Sequence, residues 1–161
     1  LHGRFEALCG AHRAELFRFA YWLARDRAVA DDVVQDTLLR AWRSFAALGS
    51  ETSAKSWLVA IARREFARRF ERRTLECAGD ADVAEVADPA PSAIDVQEAD
   101  EVRAAILKLE RAYREPLVLQ VLMGHSVREI ASILEITPAA VLTRLHRARH
   151  RLRAQLVLAA D

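Results

Sequence analysis

The sequence predicts an all-α chain, two small helical domains joined by a flexible acidic linker, and three observations carry that prediction. Only four prolines and five glycines interrupt 161 residues. Apolar residues recur at helical offsets of three and four, and no segment shows the sustained alternation of a half-buried strand. Residues 76–101 then change character altogether, with nine Asp/Glu, no Lys/Arg and two prolines among small residues. Such a stretch buries too little apolar surface to offset its ordering entropy. The expected organisation is a domain over 1–75, a linker over 76–101 and a second domain over 102–161. With 52% apolar residues, each domain has the material for a core.

The net charge of +1 conceals a pattern. Residues 1–75 carry 14 Lys/Arg against 9 Asp/Glu, a net +5, and residues 102–161 carry 10 against 5, again +5. Between them the linker is −9. Two basic domains around an acidic strap point to two sites of polyanion contact. The strap reads either as a soluble spacer or as a mimic of nucleic acid that folds back on the arginines.

In chain order, residues 5–23 read as a first helix, with Leu8, Leu16, Phe19, Ala20 and Leu23 available for burial. Arg25-Asp26-Arg27 ends it, and Asp26 suits an N-cap. A second helix over 28–45 carries Val34, Leu38, Ala41 and Phe45 on one stripe, with Asp31, Asp32, Gln35 and Asp36 near its start, where acids suit the helix dipole. Val33, Leu39 and Trp42 lie off that stripe and are candidates for meeting a partner, although for Leu39 cover by a third helix is the stronger expectation. Residues 46–56 have loop composition, and Ser53 or Ser56 caps a helix over 54–73. There Leu58, Ile61, Ala62 and Phe66 can pack, while Trp57, Phe66 and Phe70 interleave with Arg63, Arg64, Arg68, Arg69, Arg72 and Arg73. Aromatic faces among arginines suit single-stranded nucleic acid, bases stacking on rings and phosphates on charge. Phe66 is expected in the core, and for Trp57 core and ligand are equally open.

After the linker, helices are expected over 102–109 and 113–123, with Pro116 in a first turn, where proline is tolerated. Ser126 and Glu129 form a capping-box pair ahead of Val127, Ile130, Ala131 and Leu134. Thr137 followed by Pro138 is the cleanest helix start in the chain, a capping hydroxyl and then proline at the first helical position. The helix that follows buries Val141, Leu145, Ala148 and Leu152. Its opposite face carries Leu142, Thr143, His146, Arg147 and His150, flanked by Arg144, Arg149, Arg151 and Arg153. A short helix, a turn and a basic second helix is the arrangement by which a helix-turn-helix enters the DNA major groove.

Other functions find little support. No Ser/His/Asp set, Gly-rich phosphate loop or metal cluster is visible, so neither catalysis nor a cofactor is expected. Cys9, His12 and His2 could supply half of a metal site, but isolated Cys and His are far more often structural. No signal peptide and no apolar run near 18 residues appear, so a cytoplasmic chain without membrane contact is expected.

Residues 30–42 (ADDVVQDTLLRAW), 56–66 (SWLVAIARREF), 113–119 (YREPLVL), 127–134 (VREIASIL) and 138–149 (PAAVLTRLHRAR) together resemble the extracytoplasmic-function (ECF) sigma factors of bacterial RNA polymerase, and the resemblance covers essentially the whole chain. It implies sigma domain two, a linker and sigma domain four. It implies that Asp31, Asp32, Gln35, Leu38 and Trp42 dock on the clamp helices of the polymerase β′ subunit. Lys55, Trp57, Arg63, Arg64 and Arg68 would serve the minus-10 element, with the loop over 45–55. Leu142, Thr143, His146 and Arg147 would face the bases of the minus-35 element, with Arg144 and Arg149 on phosphates. The implied partners are core polymerase (β′ clamp helices and β flap), promoter DNA and a cognate anti-sigma protein, in many members membrane-tethered. Two positions depart from the family: Glu135 stands where glycine is usual, and Leu142 where a basic or polar residue is common. The alternative is a stand-alone helix-turn-helix regulator acting without polymerase.

Overall fold

The computed structural model describes residues 2–49, 54–77 and 100–160. The chain divides into two compact units, Leu1–Ser92 and Ala93–Asp161. Among the described residues there are seven α-helices, one 3-10 turn and no strand. Most of the acidic strap, and Ser53 with it, lie outside the described residues.

The first unit is three helices around one core: α1 (His2–Ala24), α2 (Arg27–Ser44) and α3 (Ala54–Cys77), with a 3-10 turn (Phe45–Ala47) closing α2. Arg25, in left-handed conformation at φ 55°, ends α1, and the Asp26 carboxylate accepts from the Val29 N–H at 3.1 Å to start α2. Leu16, Phe19, Val33, Val34, Ala41, Leu58, Val59 and Ala62 are all buried. Thr37 is buried among them at no hydrogen-bond deficit, because its hydroxyl donates to the Val33 carbonyl at 2.6 Å. Two expectations on α2 are reversed. Val33, suspected of meeting a partner, is fully buried, and Leu39, expected to be covered, is 62% exposed. With α1 and α3 packed on the same side of α2, the buried arc is wide enough to take in Val33, and neither neighbour reaches round to Leu39. Ser56 lies inside α3 and so does not cap it.

The α2–α3 seam is ionic. Arg69 reaches Asp36 at 2.8 Å and Asp32 at 3.2 Å. Glu65, buried in the seam, receives Arg40 at 2.6 Å and Arg68 at 3.5 Å.

The second unit holds α4 (Asp100–Leu107), α5 (Arg111–Val121), α6 (Val127–Leu134) and α7 (Pro138–Ala160). Helices α4 and α5 each begin two residues earlier than expected. Pro116 consequently sits in the second turn of α5 rather than its first, buried against the core. Its missing N–H leaves unpaired the carbonyl of Ala112, an exposed residue that water can reach. Arg114, 1% exposed, donates to the carbonyl of Leu107 at 3.0 Å and that of Leu109 at 3.5 Å. The guanidinium thereby satisfies carbonyls that the end of α4 leaves unbonded. Gly124, at φ 71°, ends the turn after α5 and lets the His125 N–H reach the Leu119 carbonyl at 2.9 Å.

Candidate nucleic-acid interface

Local chemistry sets the angle at which α6 and α7 meet. At the start of α6 the Glu129 N–H donates to Ser126 Oγ at 3.2 Å, and the Ser126 N–H donates to the Glu129 carboxylate at 2.7 Å. Glu135 then turns the chain at φ 56°, with the Ile136 N–H on the Ala131 carbonyl at 3.1 Å. A non-glycine residue in that conformation costs roughly 1–2 kcal/mol. The structure accepts the cost where the family pattern has glycine. Thr137 Oγ1 accepts from the Ala140 N–H at 3.1 Å, and Pro138 opens α7.

Val141, Leu145 and Ala148 of α7 are fully buried, and Leu152 is half-buried. Leu142, Thr143, His146, Arg147 and His150 face solvent, as their spacing requires. Among the described residues, His146, His150, Arg144 and Arg147 make no hydrogen bond or ion pair. The flanking arginines differ. Arg149 donates to the Gln120 side chain. Arg151 donates to Glu110 at 2.7 Å and lies over the Tyr113 ring at 4.4 Å, and the Glu110 hydrogen bond raises its guanidinium pKa further. These two help to hold α7 on α5 and its approach, and leave the outward face to its neighbours.

The outward face of α2 carries Asp31, Gln35, Leu39 and Trp42, with Leu38 half-buried at its edge. Trp42, 42% exposed, is held edge-on by Phe5 at 5.1 Å and His2 at 5.4 Å. On α3, Trp57, Arg64 and Arg68 lie at offsets of zero, seven and eleven, along one face of a helix.

The Sigma-70 region 2 family model matches residues 8–76, and the Sigma-70 region 4 model matches residues 99–152. The chain is 34% identical over 161 residues to the ECF RNA polymerase sigma factor SigL of Mycobacterium tuberculosis, covering 93% of this chain and 87% of that protein. It is 32% identical to the ECF RNA polymerase sigma factor EcfG of Rhodopseudomonas palustris, covering 86% and 77%. A Xanthomonas campestris protein named as a probable RNA polymerase sigma factor, RfaY, is 34% identical over 99% of this chain, which spans only 41% of that relative. Among solved structures, the sigma factor RpoE of Bartonella quintana, in complex with the anti-sigma factor NepR, superposes with a TM-score of 0.77 at 27% identity, covering 95% and 96% of the two chains. CnrH, in complex with the cytosolic domain of CnrY, gives 0.70 at 27% identity, covering 100% and 91%.

The chain belongs to the ECF sigma factors. It is an alternative sigma factor that directs transcription initiation. Within this sigma factor, the residues expected to serve one role do not all share one surface. Lys55 turns toward α1, pairing with Glu15 at 3.3 Å. Arg63 lies about 100° around α3 from Arg64, nearer the exposed Phe70, which stacks on Phe66 at 6.4 Å. Phe66 is in the core, as expected. Asp32 differs from Asp31 and Gln35 in being committed to Arg69. The sequence reading missed Glu65 and Arg114. Buried Glu65 follows Arg64 in a basic run, and buried Arg114 adjoins Glu115, so composition hides both.

Cys9 is half-buried, and burial raises its thiol pKa against the opposing pull of Arg13. His2 and His12 are occupied by Glu6 at 3.1 Å and Glu15 at 3.5 Å. Among the described residues, no group of three or more His, Cys, Asp or Glu side chains is placed to hold a metal ion. None of the described helices is long and apolar enough to cross a membrane.

Proposed function

We propose that the sigma factor meets core polymerase through the outward face of α2 and promoter DNA through α3 and α7. The observation that carries this reading is the outward face of α7. Its buried stripe is complete without Leu142, Thr143, His146 and Arg147, which form an exposed surface, with the Arg147 guanidinium unpaired among the described residues, on the second helix of a helix-turn-helix. That is the surface by which such a motif reads base edges. Arg147 is the candidate for bidentate contact with guanine, and Arg144 and Arg149 lie at the flanks, where phosphates pass. Trp57, Arg64 and Arg68 form the more coherent part of the minus-10 set, with Arg63 and Lys55 on other faces of α3. Asp31, Gln35, Leu38 and Trp42, joined by Leu39, form a mixed acidic and apolar surface that suits a protein, because acidic groups repel phosphate. The β′ clamp helices are the partner proposed for it, and the β flap for the second unit.

The factor acts in the cytoplasm without catalysing a reaction of its own, and a cognate anti-sigma protein restrains it. The complex of the similar RpoE with NepR supports that partner. Run-off transcription with purified core polymerase and this chain tests the proposal. Promoter-specific transcripts are expected only when both are present. Tight promoter binding by the chain alone, with no transcript on adding core, would indicate a stand-alone regulator.

A further inference from the structure

The outward face of α7 is graded along its length. Its first six residues, Pro138 to Thr143, contain no charged or amide side chain. Ala139, Leu142 and Thr143 are exposed there, Leu142 by 57%. Titratable side chains on the outward face begin only with His146 and Arg147. The one polar group of the first six residues already has a partner: Thr143 Oγ1 donates to the Ala139 carbonyl at 3.1 Å. Holding the hydroxyl against the backbone leaves the Thr143 methyl group for the outside. The opening two turns of the helix therefore present methyl groups.

This matters because the N-terminal residues of a recognition helix are the ones that contact base edges. Guanine and adenine are read there by bidentate donors and acceptors from Arg, Lys, Asn or Gln, and none of these occurs among residues 138–143. The major groove offers one apolar group, the C5-methyl of thymine, and the side chains that contact it are apolar. We infer that Leu142 and Thr143 form a thymine-methyl reader, so that the minus-35 element of this sigma factor contains one or two thymines facing the start of α7. Arg147 lies four to five residues further on, about 6–8 Å along the helix axis. Its guanine then falls about two base-pair steps from those thymines. The departure of Leu142 from the family pattern is on this account a change of specificity from a hydrogen-bonded base to a methyl-bearing one. The inference rests on the reading of α7 as the minus-35 reader.

The experiment uses holoenzyme reconstituted from the full chain and core polymerase. A promoter library randomised over the upstream element is selected for binding, and each thymine of the selected sequence is then replaced by deoxyuridine, which removes only the methyl group. One or two positions are expected to lose about three- to fivefold in affinity, the effect of one buried methyl group. Leu142→Ser should abolish that sensitivity at one position, and Thr143→Ser, which keeps the hydroxyl, should reduce it. Arg147→Ala should leave it intact while relaxing a guanine position. Both serine replacements are at exposed sites, and unchanged thermal unfolding verifies that the fold survives. A selected element with no uracil-sensitive thymine, or sensitivity identical in native and both serine variants, overturns the methyl reader while leaving α7 as a DNA reader. Selection that returns no upstream preference overturns both.

Discussion

Residues 1–75 and 102–161 carry the same net charge of +5, yet the two units use their arginines differently. In the first, Arg69, Arg40 and Arg68 are drawn into the α2–α3 seam by Asp32, Asp36 and Glu65. In the second, neutralised arginines such as Arg151 and Arg111 brace the fold, and Arg147 and Arg144 stand unpaired on the helix that faces outward. Net charge therefore ranks the two domains equally as polyanion binders, whereas the pairing of their arginines separates them. The first unit offers a mixed surface on α2 and a partly neutralised α3. The second concentrates available charge and hydrogen-bond donors on one helix face.

The largest effect is expected where the buried face of α7 fixes which side chains turn outward. Leu145 is 1% exposed, so Leu145→Ala should cost roughly 2–5 kcal/mol of stability in the second unit. Unchanged denaturant or thermal unfolding would mean the helix is rotated from the position described. Arg147→Ala, at an exposed and unpaired site, should leave unfolding unchanged. It should cost roughly 1–3 kcal/mol of discrimination between matched and mutated minus-35 sequences, read as the ratio of run-off transcripts. Equal loss on both templates would make Arg147 a phosphate contact instead.

On the first unit, Leu39→Asp should weaken core-polymerase binding by roughly 1–2 kcal/mol, measured by competition with native chain for core. Because Leu39 is exposed, stability should move by no more than about 0.5 kcal/mol. Leu39 is a cleaner probe than Asp32, whose replacement by arginine would also set a cation beside Arg69. Normal assembly of the Leu39 variant would remove that residue from the polymerase surface. The smallest effect is expected at the turn of the helix-turn-helix. Glu135→Gly relieves a left-handed residue and should raise stability by about 0.5–1 kcal/mol. A decrease would show that the Glu135 side chain contributes more than its backbone conformation costs.

Local chemistry was legible residue by residue. The Asp26 cap, the Ser126–Glu129 capping box, the Thr137-Pro138 start and the buried Val141, Leu145 and Ala148 all follow from interactions within four residues or from one helix's periodicity, and the structure has them as read. The reversals have a common cause. The start of α5 moved because the Glu110 carbonyl accepts the Tyr113 and Arg114 N–H groups, both at 2.9 Å, and closes a turn ahead of the apolar stripe. Val33 and Leu39 exchanged roles because a stripe drawn on one helix assumes one neighbour, whereas α2 has two.

The helical class, the composition break between the domains, the caps and the direction in which α7 turns its charged side all follow from the amino-acid order. Each depends on backbone propensity or on a repeat of 3.6 residues, which are properties of short segments. Which charges are paired follows instead from how the helices pack. Arg69 meets Asp32 and Asp36, Glu65 meets Arg40, and Arg151 meets Glu110 and Tyr113 across 25 to 41 positions of sequence, and no local pattern encodes such pairings. Since an arginine already bound to a carboxylate has less to offer a phosphate or a base, the division between paired and outward-facing arginines became visible only when the helices were packed.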